Sequence, residues 1–150
     1  MDRWGMRGLV LAVCLAMPSA TLAQPVLRVT DDSGGPLPAR LMQIARLSAR
    51  GTQVVIGPGV CLSSCTMLLG LRGACVRPDA RLGFHGPTSQ LRGIGLGPAA
   101  FETWSVRIAA HYPRPLRDWY LESGRYRLTG FHMMTGAEVI ALGARACDGP

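Results

Sequence analysis

The chain has 150 residues, 48% of them hydrophobic, and a formal charge of +7. That length fits one domain, and that apolar content excludes a disordered chain. All sixteen basic residues are arginines scattered along the chain, which excludes a nucleic-acid footprint, and the lack of lysine excludes a serine–lysine dyad.

In chain order, Arg3 and Arg7 precede an apolar run from Gly8 to Met17, which Pro18 and Ser19 end. Thr21-Leu22-Ala23 is a small-x-small cleavage site. The pattern predicts a secretory signal peptide over 1–23 and one exported domain over 24–150, periplasmic or secreted. The run is too short to span a bilayer comfortably, and no other segment is apolar enough, so no stable membrane span is expected in the mature chain. Cys14 leaves with the leader. Cys61, Cys65, Cys75 and Cys147 remain, an even set that predicts two disulfides in an oxidising compartment. Their spacing lacks the paired short loops of a four-cysteine zinc module. No metal and no cofactor are expected.

Val26 to Thr30 reads as a β-strand. Asp31-Asp32-Ser33-Gly34-Gly35-Pro36 is a turn cluster whose adjacent glycines permit positive φ and close approach to a ligand. Leu37 to Arg50 has a helical period, with Leu37, Leu41, Ile44 and Ser48 on one stripe and Ala45 beside it. Arg40, Arg46 and Arg50 are assigned to a solvated face. Pro38 suits the first turn and Gly51 the end. Gln53 to Ile56 reads as a buried strand. The βαβα order implies parallel strands, so the expected fold class is α/β: a small, mostly parallel sheet of four or five strands flanked by helices.

The stretch from Cys61 to Pro87 carries the chemistry. A small-residue turn presents Ser63 and Ser64 at the start of an apolar run, Cys65 to Leu71, long enough for about two helical turns. A β-like piece and a Pro78-Asp79 turn follow. A second β-like piece, Arg81 to His85, delivers an imidazole before Gly86-Pro87. A hydroxyl at a helix start and a histidine at a strand end are the parts of an acyl-transfer site. Beyond it, Gln90 to Gly97 reads as a loop over the site. Pro98 to His111 reads as a helix with Phe101, Trp104, Ile108 and Val106 inward. Leu116 to Ser123 reads as a further helix. Thr135 and Glu138 form a capping box for a last helix that Gly143 ends.

Three motifs in order resemble the ClpP/crotonase superfamily, in particular small exported ClpP-like proteins. They are Asp32-Ser33-Gly34-Gly35, Gly59 to Leu69, and Gly83-Phe84-His85-Gly86-Pro87; Thr135 to Cys147 resembles the family's last helix and strand. The resemblance implies a truncated ClpP/crotonase-like fold with Ser63 as nucleophile and His85 as base. It also implies an oxyanion hole from the amides of Gly34 and Ser64. It implies a peptide or protein substrate and possible homo-oligomers. The chain departs from the family in three places. An additional N-terminal β unit is absent, the Ser63–His85 segment is slightly short, and Arg127 to His132 holds no acid where the family places its aspartate. Glu122 and Asp118 are the nearest upstream carboxylates.

Two functional classes follow: an exported serine hydrolase of peptidase type, and an inactive ClpP-like scaffold that binds peptide or a protein partner. Ser64 is the fallback nucleophile if the turn is shifted by one residue, and Cys65 is a further alternative unless a disulfide silences it. His111 and His132 are read as incidental. The family likeness permits Cys75–Cys147, between neighbouring strands, with Cys61–Cys65 clamping the nucleophile turn. Cys61–Cys75 with Cys65–Cys147 remains the alternative.

Overall fold

The computed structural model describes Met1 and residues 23–148, apart from 90, 92 and 93. Residues 2–22, which hold most of the expected leader and Cys14, lie outside the described residues.

The elements run β1 (Val26–Asp32), α1 (Leu37–Ala49), β2 (Gln53–Leu62), a 3-10 helix (Ser63–Gly70), β3 (Ala74–Val76) and β4 (Ala80–Phe84). α2 (Pro98–Ala109), α3 (Arg114–Glu122), a short 3-10 turn (Gly124–Tyr126), β5 (His132–Thr135) and α4 (Gly136–Ala141) follow. The five strands form one mixed sheet. β1 lies parallel to β2, with Val26 opposite Gln53. β2 is the spine, because two strands share its other edge. β3 pairs with Val54–Ile56, and β4 pairs with Gly59–Leu62, both in parallel. β5 closes the far edge antiparallel to β4. The chain is α/β with a small, mostly parallel sheet.

β2 is longer than its expected core Gln53 to Ile56. Its second half, through Gly57-Pro58-Gly59, has no apolar period, yet it runs on to Leu62. β5 (HMMT) was not expected at all: four residues are too few to show alternation, and only Met134 among them faces partly inward.

The core is Val54, Ile56, Met67, Leu68, Val76, Leu82, Phe84, Leu116, Tyr120 and Val139 with their neighbours. Phe84 stands edge-on to both Tyr112 and Trp119 at 5.6 and 5.4 Å, a favoured arrangement for aromatic quadrupoles. The capping box of α4 is present: Glu138 N–H donates to Thr135 Oγ1, and Thr135 N–H donates to Glu138. Gly143 follows α4 at φ 95°, as a left-handed helix stop requires.

Two expected faces need correction. On α1, Ser48 and Ala45 are exposed, and Arg40, assigned to solvent, is only 6% exposed. On α2, Ile108 is buried and Phe101 and Trp104 are half-buried, but Val106 is 50% exposed. The helix after β2 is a 3-10 helix beginning at Ser63, not an α-helix over Cys65 to Leu71. Thr66 Oγ1 donates to the Ser63 carbonyl three residues back, in step with that tighter winding.

The four cysteines among the described residues form Cys61–Cys65 and Cys75–Cys147, with Cα separations of 5.3 and 4.8 Å. The bridge Val76↔Ala146 places the C-terminal segment beside β3. Two disulfides fit an extracellular or periplasmic location. Among the described residues, no helix is long and apolar enough to cross a membrane.

Candidate active site

β2 and β4 end side by side, with Leu62 opposite Gly83. The next residues out of that register are Ser63 and, two positions past Gly83, His85. The parallel pairing alone therefore brings the hydroxyl and the imidazole to the same end of the sheet. Ser63 has φ 56°, the sole non-glycine positive φ among the described residues. A serine held in the left-handed region carries strain of order 1–3 kcal/mol, a cost that functional turns commonly bear. Gly34 lies beneath it. A Cβ on Gly34 would come within 2.6 Å of Ser63 Cβ and 2.8 Å of the Leu62 carbonyl oxygen, so only glycine fits.

Ser63 Oγ and His85 Nε2 are 2.7 Å apart. His85 Nδ1 is 2.6 Å from the Gly86 carbonyl oxygen. A carbonyl only accepts, so Nδ1 carries the proton and Nε2 is left to accept from the Ser63 hydroxyl. Burial lowers the His85 pKa below the usual imidazole value, and the bond to Gly86 opposes that shift in part. The ring is therefore a neutral base at neutral pH. Phe131 stands edge-on to it at 5.3 Å, and the Tyr120 hydroxyl donates to the His85 carbonyl at 3.1 Å.

No carboxylate among the described residues bonds His85. Asp118 pairs with Arg114 and Arg117 on the exposed side of α3, and Glu122 is exposed on the same helix. His132 packs against Trp119, and His111 lies in a separate hollow beside Arg145.

Ser64 is 5% exposed. Its hydroxyl donates to the Gly35 carbonyl at 3.0 Å and accepts from Arg40 Nε at 3.4 Å. That hydroxyl is committed, whereas the Ser63 hydroxyl meets His85 Nε2. Cys65 is buried and disulfide-bonded, so it offers no thiolate.

The assignment of Gly34 as an oxyanion donor needs correction. Its N–H donates to Asp32 Oδ1 at 2.8 Å. Gly35, the next residue, lines the cavity, and its N–H has no protein acceptor among the described residues. The Ser64 N–H lies in the first turn of a helix, where amides lack intrahelical acceptors.

A cavity of about 670 Å³ opens over this arrangement. Gly35, Ser63, Ser64 and His85 form its polar side, and Leu37, Met67, Leu96, Trp104, Ile108 and Tyr112 its apolar side. Leu96 comes from the loop expected to cover the site. No arginine or carboxylate lines it among the described residues.

Three contributors were missed in the sequence. The Gly86 carbonyl is backbone and leaves no residue-type signal. Gly35 was hidden by the choice between two adjacent glycines. Arg40 was readable, since it sits three residues after Leu37 and four before Ile44, on the inward stripe. No protein-family model and no curated protein matches the chain.

Proposed function

We propose that the protein is an exported ClpP-like serine hydrolase, peptidase-like in mechanism, acting on a peptide or protein substrate. The observation that carries this reading is the strained Ser63, its Oγ 2.7 Å from His85 Nε2, facing the cavity. The parallel β1–β2–β4 arrangement and the C-terminal segment beside β3 support the ClpP/crotonase-like assignment of the fold.

In this reading Ser63 Oγ attacks the acyl carbonyl while Nε2 takes its proton. The oxyanion lies against the N–H groups of Gly35 and Ser64. The imidazolium then protonates the leaving amine or alcohol. A water molecule, deprotonated by the same Nε2, releases the acyl group and restores Ser63. In a Ser-His-Asp protease, replacing the aspartate by asparagine costs about 10⁴ in turnover, mainly through the wrong tautomer. Here the Gly86 carbonyl fixes the tautomer. What it lacks is the negative charge that steadies the imidazolium, so turnover is slow rather than absent.

That neutral partner also favours a second reading, an inactive scaffold that binds peptide or a protein partner in the same cavity. A fluorophosphonate probe separates the two. The hydrolase reading expects covalent labelling at Ser63, lost in Ser63→Ala. A folded protein that stays unlabelled leaves only the scaffold.

A further inference from the structure

The two glycines bring no side chains to hold their turn. Gly34 and Gly35 both sit at positive φ, 91° and 153°, and nothing lies within 4 Å of a Cβ built on Gly35. Glycines lose more conformational freedom on ordering than any other residue. Yet if the hydrolase reading holds, this turn and the Ser63 turn must keep a fixed spacing, so that the Gly35 and Ser64 amides reach one oxygen. Oxyanion stabilisation depends on donors that are already in place.

Two side-chain hydrogen bonds hold the glycine turn, one to Asp32 two residues back and one from Ser64 on the nucleophile turn. The Gly34 N–H donates to Asp32 Oδ1 at 2.8 Å, and the Gly35 carbonyl accepts from Ser64 Oγ at 3.0 Å. Both lead to one guanidinium. Arg40 Nη2 donates to both Asp32 oxygens at 2.8 Å, and Arg40 Nε donates to Ser64 Oγ at 3.4 Å. Its Nη1 is held by Gln43, one turn along α1. Neither Arg40 nor Asp32 lines the cavity.

We propose that Arg40 is a positioning residue: through Asp32 and Ser64 it ties the glycine turn to the nucleophile turn and sets the separation of the two amides. The ion pair with Asp32 is neutral overall, so what it supplies is geometry. A planar fork can engage the carboxylate on one side and a hydroxyl on the other. A lysine ammonium on a flexible stem cannot fix both directions.

The test compares wild type with Arg40→Gln, Arg40→Lys and Asp32→Asn. Three properties are read: the rate of Ser63 acylation by a fluorophosphonate per folded molecule, its pH midpoint, and amide hydrogen exchange at Gly34. Arg40→Gln is expected to slow acylation by about 10²–10³-fold, as loss of an oxyanion donor does. The pH midpoint stays put, because Gly86 and Phe131 still surround His85. Exchange at Gly34 accelerates. Arg40→Lys and Asp32→Asn change in the same direction by less, and they serve if Arg40→Gln does not fold. Acylation within about threefold of wild type in folded Arg40→Lys and Asp32→Asn, with Gly34 still protected, overturns the proposal. If wild type itself is not acylated, the hydrolase reading falls. Gly34 exchange in the same variants then decides whether Arg40 ties the two turns.

Discussion

The Cys75–Cys147 bridge joins residues 72 apart. In the chain-entropy description, closing a loop of that size removes on the order of 4 kcal/mol of unfolded-state freedom at 25 °C. The native side has little else to lose. Cys147 N–H still donates to the Val76 carbonyl at 3.1 Å, and Val76 N–H to that of Arg145 at 2.9 Å. Both cysteines are only half-buried, so truncation opens no closed cavity. The double variant Cys75→Ala, Cys147→Ala should therefore fold in the same register and lose about 4 kcal/mol. Urea unfolding followed by tryptophan fluorescence measures it. With slopes of about 1–3 kcal/mol per molar, the midpoint falls by roughly 1.3–4 M. A loss under about 1 kcal/mol refutes the reasoning, since the loop would then not be constraining the unfolded chain. The Cys61–Cys65 loop, with a separation of 4, is worth only about 2 kcal/mol by the same relation. Its consequence is local: it brackets Ser63.

Four further outcomes follow from the site. Acylation of Ser63 needs neutral His85, so its rate should rise with pH to a plateau, with a midpoint below the ordinary imidazole value of about 6.5; a midpoint above that value contradicts the burial argument. Because the folded value is the lower one, His85 also takes stability away as pH falls below the unfolded value, which pH-dependent unfolding would record. Ser63→Gly should abolish acylation yet raise stability by about 1 kcal/mol, since relief of the left-handed strain exceeds the entropy of the added glycine; a loss of stability in urea unfolding would show that Ser63 is unstrained. Gly86→Ala places a Cβ 1.7 Å from the Arg125 carbonyl oxygen, which should cost about 1–3 kcal/mol. It should also slow acylation at least roughly 100-fold by displacing the carbonyl that orients His85; unchanged stability and rate would remove Gly86 from that role.

What could be read from the sequence was whatever residue type and period encode. The helical period of Leu37 to Arg50, the glycine turns and the Thr135–Glu138 box located α1, the strand ends and α4. The sequence showed a serine at a helix start and a histidine at a strand end; their approach comes from β2 running on to Leu62 and from its parallel register with β4. Contributions from the backbone left no such signal. The Gly86 carbonyl stands where an acid was sought in the Arg127 to His132 segment, and Phe131 from that segment packs on the imidazole instead. The charge of Arg40 suggests solvent, whereas its position on the inward stripe matches its burial. A guanidinium paired with Asp32 can occupy an inward stripe that an unpaired one cannot.

The most direct test of the account is a crystal structure of the protein after reaction with a fluorophosphonate. The account predicts phosphorus bonded to Ser63 Oγ, the phosphoryl oxygen within hydrogen-bond reach of the Gly35 and Ser64 N–H groups, and His85 Nδ1 still on the Gly86 carbonyl. An adduct on Ser64, a phosphoryl oxygen turned away from both amides, or an unmodified Ser63 would contradict it.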